Sequence, residues 1–200
     1  IKHHLKDSHS FYLTSFTNND TGKKTYIEIP MPVILYDNGF KFFMSSDFKH
    51  GKEIVIDNET YYRMNYDNNK IYKTNSDGLI NISNEGKVLN EKPLDFSITK
   101  NIATILLVSI LMFFLFVSLA KSYRTNNGVS KGIGRFFEPI ILFIRDDIAI
   151  PNIGLKKYKN YMSFLLTVFF FVWFLNMLGL TPLGVNVTGN IAVTFSLALL

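Results

Sequence analysis

Hydrophobic and polar positions follow two different patterns along this chain, and the change falls near residue 97. Before it, apolar residues come in short runs broken by turn residues. After it, they come in long blocks. Residues 26–29 alternate apolar and polar, which is strand periodicity, and Pro30 and Pro32 then restrict pairing to an edge or a kink. Residues 33–36 and 40–44 flank Asp37-Asn38-Gly39, a hairpin turn signal. Further strands are predicted over 53–56, 61–66 and 71–73. Asp67-Asn68-Asn69, Asp77-Gly78 and Glu85-Gly86 mark turns. Helical periodicity is absent, so residues 1–98 are expected to form a mostly-β region, with 1–25 a loosely ordered terminus.

The blocks that follow have another physical meaning. Residues 101–120 and 160–200 contain no Lys, Arg, Asp or Glu. A central charge costs roughly 2.5–3.5 kcal/mol in a bilayer, so long chargeless runs belong there. Twenty residues match one crossing. The 41-residue run would reach about 60 Å as one helix, twice a hydrocarbon core of about 30 Å. It must therefore break, and Gly179-Leu180-Thr181-Pro182-Leu183-Gly184 supplies the break. The expectation is a membrane α-helical protein with three transmembrane segments, over 99–121, 160–179 and, as the start of the third, 187–200, with an outer turn over 180–186. The run is still apolar at Leu200, so the chain is expected to be a piece of a longer protein with more segments.

Between the first two blocks, Phe137, Ile140, Ile141, Ile144 and Ile148 recur at helical spacing, while Glu138, Arg145 and Asp146 lie elsewhere around the wheel. Pro139 suits a first turn and Pro151 an end. Residues 136–150 are too short and too polar to cross. They are expected to lie in the membrane interface, with the apolar face toward lipid or toward another subunit.

Charge then orients the chain. Residues 1–100 hold 13 basic and 13 acidic side chains, whereas the loop over 122–159 and its flanking Lys121 hold eight basic and three acidic. The whole excess of +5 sits there. Short Lys/Arg-rich loops stay cytoplasmic, so the β-rich region is expected outside, with Arg145, Asp146, Lys156 and Lys157 as interfacial anchors. The basic balance is thus topological, and no nucleic acid is expected as a partner. There are no cysteines, which excludes disulfides and thiolate chemistry.

Candidate chemistry is sparse. His3, His4, Asp7 and His9 are potential metal ligands, but a polar terminal stretch reads as exposed chain, and neither metal nor cofactor is expected. No catalytic constellation is present. The uncharged polar residues Asn176, Thr188, Asn190 and Thr194 stand out in the last apolar run. Such residues in membrane helices either pack by hydrogen bonding or line a wet path.

Five stretches carry a family resemblance. FFEPIILFIRDDIAIPNIG (136–154), FVWFLNMLGLTP (171–182) and VTGNIAVTFSLALL (187–200) resemble, in order and spacing, subunit a of the F-type ATP synthase. HHLKDSH with IPMPVILYDNGFKFFMSS resembles the outer extension of some bacterial versions. The resemblance implies a non-catalytic, proton-conducting stator in the bacterial cytoplasmic membrane, an obligate hetero-oligomer contacting lipid, a rotor c-ring and peripheral-stalk b subunits. It places Asn176, Thr188, Asn190 and Thr194 as proton-path candidates. Relatives often have an acid where this chain has Asn190, and an Asn where it has Ala192. The family's essential Arg is expected beyond Leu200, and Arg145 is not its counterpart. Two alternatives stand beside this one: a membrane-anchored sensor or assembly factor that binds a ligand through its β region, and a secondary transporter.

Overall fold

The computed structural model describes residues 7–17, 24–125, 132, 134–181 and 185–199. The chain divides into two units, one centred on the β-rich region through Ala103, the other on the helices from Thr104 onward.

The first unit holds eight strands in three antiparallel sheets. β1 (Ser10–Thr17) pairs with β2 (Lys24–Pro30). This corrects the expectation of a loose terminus for residues 10–17 and 24–25, residues 1–6 and 18–23 lying outside the described ones. SFYLTSFT is rich in aromatic and β-branched residues, which fit a pleated surface, and it gains a partner in the next alternating run. β3 (Pro32–Tyr36) lies between β4 (Phe40–Met44) and β8 (Leu94–Asp95). β5 (Ile54–Asp57), β6 (Thr60–Met64) and β7 (Ile71–Thr74) form a meander. Asp37-Asn38-Gly39 makes the β3–β4 connection, with Asn38 and Gly39 at positive φ. A 3-10 helix over Ser45–Gly51 was not foreseen. It ends at Gly51, φ +80, where a Cβ would meet the Met64 carbonyl oxygen at 2.2 Å.

Val33 and Leu35 of β3, Phe48 of the 3-10 helix, and Tyr62, Met64 and Ile71 of the meander form the core. Period-2 geometry sends alternate residues to the other face, and the register fixes which ones meet there. Tyr36 stands opposite Phe40 and Leu94, and Ile34 opposite Phe42. Beyond β8 the chain keeps pairing, through Phe96 N–H to Ile34 and Ile98 N–H to Pro32. The outer face of this sheet is therefore apolar as well.

Most of the polar groups at this core are paired, although both His9 ring nitrogens and the Thr74 hydroxyl are buried without a hydrogen bond among the described residues. The Asp37 carboxylate accepts from the Tyr62 hydroxyl at 2.7 Å and from Lys73 at 2.7 Å. The Lys73 bond holds Asp37 below its ordinary value against the opposing effect of burial, and Asp37 in turn raises Lys73. Burial, reinforced by Asp37, pushes the Tyr62 hydroxyl up. Arg63 donates to the Gly51 and Gly78 carbonyls, and Lys41 pairs with Asp57.

In the second unit, α1 (Lys100–Thr125) and α4 (Tyr158–Gly179) are the long helices. α1 has no internal Gly or Pro, and at 1.5 Å per residue it is about 39 Å long. Its first turn, through Ala103, belongs to the first unit, where the Asp7 carboxylate accepts the Asn101 N–H at 3.1 Å and negative charge suits the helix dipole. Both helices are long and apolar enough to cross a membrane. Only 22% and 11% of their most apolar windows are buried. A core helix of a water-soluble fold would show the reverse.

The segment over 136–150 differs from expectation. It is one helical run built from α2 (Gly134–Phe143), a π turn (Ile144–Ala149) and α3 (Ile150–Ile153). Pro139 lies inside α2 rather than in its first turn, and Pro151 sits at the start of α3 rather than stopping the run. The run ends at Gly154, φ +89. In the π turn Ile150 N–H reaches back five residues to the Arg145 carbonyl, a looser register in which Pro151, which cannot donate, is accommodated.

Phe137 is buried against Phe170, Trp173 and Phe174, with ring centroids 5.6, 6.2 and 6.1 Å away. The run therefore folds back along α4 as an antiparallel hairpin through residues 154–157. Phe137, Ile144 and Ala149 of this run are buried, while Phe136, Leu142 and Phe143 stay exposed on it. Phe116 of α1 also meets Phe170, at 5.2 Å.

The third predicted segment is α5 (Ile191–Ala198), eight residues and about 12 Å. It begins after Asn190 rather than at 187, because residues 187–190 form a turn that includes Gly189. Among the described residues two helices, not three, have the length to cross.

Candidate functional site

The four proton-path candidates come from α4 and from the turn and helix that follow it. Asn176 lies one turn before the end of α4. Thr188 lies in the turn, Asn190 is the N-cap of α5, and Thr194 is in its first turn. The structure brings them together. The Thr188 hydroxyl donates to the Asn176 side-chain carbonyl at 2.9 Å. The Thr194 hydroxyl donates to the Thr188 backbone carbonyl at 2.6 Å and, more weakly, to that of Asn190 at 3.2 Å.

Asn190 has a local role. Its side-chain oxygen accepts the Ala192 N–H at 3.0 Å, satisfying one of the amides a helix start leaves open. A four-residue spacing would put Asn190 and Thr194 on one helical face if both were helical, but Asn190 precedes the helix as its N-cap. It stands outside the helix in extended conformation, and only its backbone carbonyl meets Thr194. Its side-chain oxygen is engaged, while its amide hydrogens have no recorded partner among the described residues.

Chemically, this is a chain of hydroxyl and amide groups without a titratable member. Such groups can order water and pass hydrogen bonds, but they cannot hold a proton at neutral pH. Asn176 and Thr194 are exposed and Thr188 and Asn190 half-buried, so the cluster is open on one side.

The predicted anchors lie apart from it. Arg145 and Asp146 form a bidentate pair, 2.7 and 2.9 Å, in the π turn. The bond from Asp146 raises Arg145, and that from Arg145 lowers Asp146. Lys156 and Lys157 are exposed in the connection before α4.

The histidine-rich start resolves differently from a metal cluster. His3 and His4 lie outside the described residues. Asp7 caps α1. His9 is buried, with its Nε2 3.4 Å from Asp95. That distance suits an ion pair better than a well-formed hydrogen bond. Burial acts to raise the Asp95 carboxyl, but His9 and the Ser97 hydroxyl and amide outweigh it and bring it down to about 2. Among the described residues no three His, Asp or Glu side chains gather as a metal site. Sequence reasoning missed the Asn190 cap, although Asn followed by an apolar helical run is its ordinary signal.

Long helices with outward apolar surface and a separate β-rich unit describe a helical membrane protein that carries an appended region. Comparison with known proteins gives the family. Residues 88–200 match the model described as ATP synthase A chain, and residues 1–96 match one described as a domain of unknown function (DUF8433). The chain belongs to the ATP synthase A chain family. It is 42% identical over 109 residues to ATP synthase subunit a of Myxococcus xanthus, covering 53% of this chain and 35% of that protein. Identity is also 42% to ATP synthase subunit a of Pelodictyon phaeoclathratiforme (107 residues, 52% and 31%) and to ATP synthase subunit a 2 of Chlorobaculum tepidum (106 residues, 52% and 30%). The chain thus spans about a third of the length of the curated relatives it matches. No solved structure matches it.

Proposed function

We propose that this chain is the proton-conducting stator subunit of an F-type ATP synthase. Its own part of the path would be the outer approach to the rotor. The observation that carries the reading is the hydrogen-bonded chain Asn176–Thr188–Thr194 within a 41-residue chargeless stretch, in a chain of this family. A polar chain without charge supports water ordering where a fixed charge would trap or repel protons.

The proton would enter from outside and pass this cluster to a carboxylate on a rotor-ring subunit. It would leave on the cytoplasmic side after rotation. An Arg on a later helix would separate the two half-channels and keep the passing carboxylate ionised, an opposite charge acting in low dielectric. No Arg follows Arg145 in these 200 residues, so none of their residues is assigned that step. The partners would be the rotor ring, the peripheral-stalk b subunits and membrane lipid. The subunit would have no catalytic site of its own.

Orientation follows from charge. Lys121 and Arg124 at the end of α1, and Lys156, Lys157 and Lys159 around the start of α4, would be cytoplasmic, and the β-rich unit would lie outside a bacterial cytoplasmic membrane. The test is ATP-driven proton pumping by the complete synthase carrying Thr188→Val, which keeps the shape and removes the donor. Pumping should fall several-fold with soluble ATPase activity retained. Unchanged pumping removes the cluster from the path.

A further inference from the structure

The sheet of β3, β4 and β8 has an outer face with no polar member in its central rows. Phe40 and Phe42 on β4 are 63% and 70% exposed, and Leu94 and Phe96 on the β8 side 61% and 59%. Tyr36 joins them from β3. The rings form one surface, with Phe40 5.2 Å from Tyr36 and 6.4 Å from both Phe42 and Phe96. An antiparallel sheet with one buried face ordinarily turns polar residues outward, and contiguous exposed apolar area of this kind marks an interaction surface.

We propose that this aromatic face is seated in the outer leaflet of the membrane, its occupant being lipid headgroups and upper acyl chains. The argument is covalent reach. The strand that carries Leu94 and Phe96 continues to Ile98, whose N–H bonds to Pro32 in the same sheet. Asn101, the first residue of the chargeless stretch of α1, follows three residues later. Three residues span at most about 11 Å. The interfacial layer on each side of a bilayer is about 5–8 Å thick. The Ile98 edge of the sheet is therefore held within about 11 Å of the hydrocarbon, and Phe96 and Leu94 follow from that edge at about 3.4 Å per residue along the same strand. Apolar faces that lie along a membrane bury themselves about 5–10 Å deep in this zone. Asp7, bonded to Asn101 N–H, and Ser8, whose carbonyl accepts Lys100 N–H at 2.8 Å, fix the same unit to the start of the helix.

The inference rests on α1 being a span, and the experiment checks that separately. The chain has a single Trp, Trp173. In the full-length protein, with Trp173 and any Trp outside these 200 residues replaced by Phe, Phe42→Trp gives one reporter, and Phe40→Trp gives a second at the same face. Leu89→Trp, at a residue 66% exposed elsewhere in the unit, serves as the aqueous reference, and Phe113→Trp in α1 as the span reference. Each variant is placed in phosphatidylcholine nanodiscs with and without lipid spin-labelled near the headgroup. Both face reporters should be quenched by the labelled lipid about threefold or more beyond Trp at 89, as interfacial residues are. Acrylamide quenching equal to that at 89 would overturn the proposal. Shielding from both quenchers would overturn it in favour of a protein cover. If Trp at 113 escapes lipid quenching, the span itself fails, a result distinct from the others.

Discussion

The Thr188 hydroxyl donates to the Asn176 side-chain carbonyl across 2.9 Å. That one bond ties the last turn but one of α4 to the turn that launches α5. It fixes where the Thr188 carbonyl points, and hence where Thr194 finds its acceptor.

The Asn190 side chain separates capping from conduction. Asn190→Ala removes an N-cap and should cost about 1 kcal/mol, seen as faster amide exchange at Ala192. Asn190→Asp keeps the cap, because Asn and Asp serve equally well there, and adds a titratable group. If the residue acts only as a cap, proton pumping should fall for Ala and hold for Asp across pH. A pumping profile that acquires a new pH dependence in the Asp variant would instead place its side chain on the path.

Acid should loosen the β-rich unit at Asp95. Its folded-state value lies near 2, below the ordinary 3.8. The stabilisation is therefore present above about pH 4 and is lost as pH falls toward 2. It amounts to about 2 kcal/mol. Asp95→Asn should be less stable than the parent at neutral pH, and the gap should close by pH 2. Hydrogen exchange at β3 amides measures both. A gap that stays constant with pH would show that Asp95 acts by shape alone.

Two changes probe the core of that unit. Tyr62→Phe strips a buried hydroxyl from the Asp37 carboxylate and should cost about 1.5–3 kcal/mol. Gly51→Ala should cost at least about 2 kcal/mol, since it combines a left-handed backbone with a contact to the Met64 carbonyl that cannot give way. Thermal unfolding of the full chain followed by aromatic circular dichroism reads both. Parent-like melting of the alanine variant would mean that the backbone reorganises at this turn.

The hairpin of α2, the π turn and α3 against α4 can be tested by cross-linking, because these 200 residues contain no cysteine and any other can be replaced by Ser. Phe137→Cys with Phe174→Cys should be joined efficiently by a short bis-maleimide in native membranes. Phe137→Cys with Met162→Cys, near the opposite end of α4, should not. Equal yields would show that the helix lies across the membrane surface rather than along α4.

Much of this architecture was legible in the residues, for identifiable reasons. Chargeless blocks announce helices that cross a membrane, because the energetic cost of a charge there is large and local to each residue. Asp37-Asn38-Gly39 announced its turn because positive φ selects Asn and Gly. The β1 strand was missed because its partner lies in another run, and pairing partners are not written locally. The start of α5 was placed too early because Thr188 and Gly189 sit in an apolar run without belonging to its helix. The fold-back of Phe137 onto Phe170 was hidden because an amphipathic stripe tells that a face is covered, not by what.

The π turn has one more consequence. Extrapolating a 3.6-residue period along the stripe from Phe137 and Ile144 brings Ile148 inward. In the structure Ala149 is fully buried and Ile148 is 37% exposed. One looser turn acts as a phase correction, carrying the inward mark one residue further along the chain and handing the closest approach to the smallest side chain available. Ile148→Ser should then behave like a surface change. Ala149→Leu should behave like overpacking, costing about 1–3 kcal/mol and prising the helical pair apart in the same cross-linking assay.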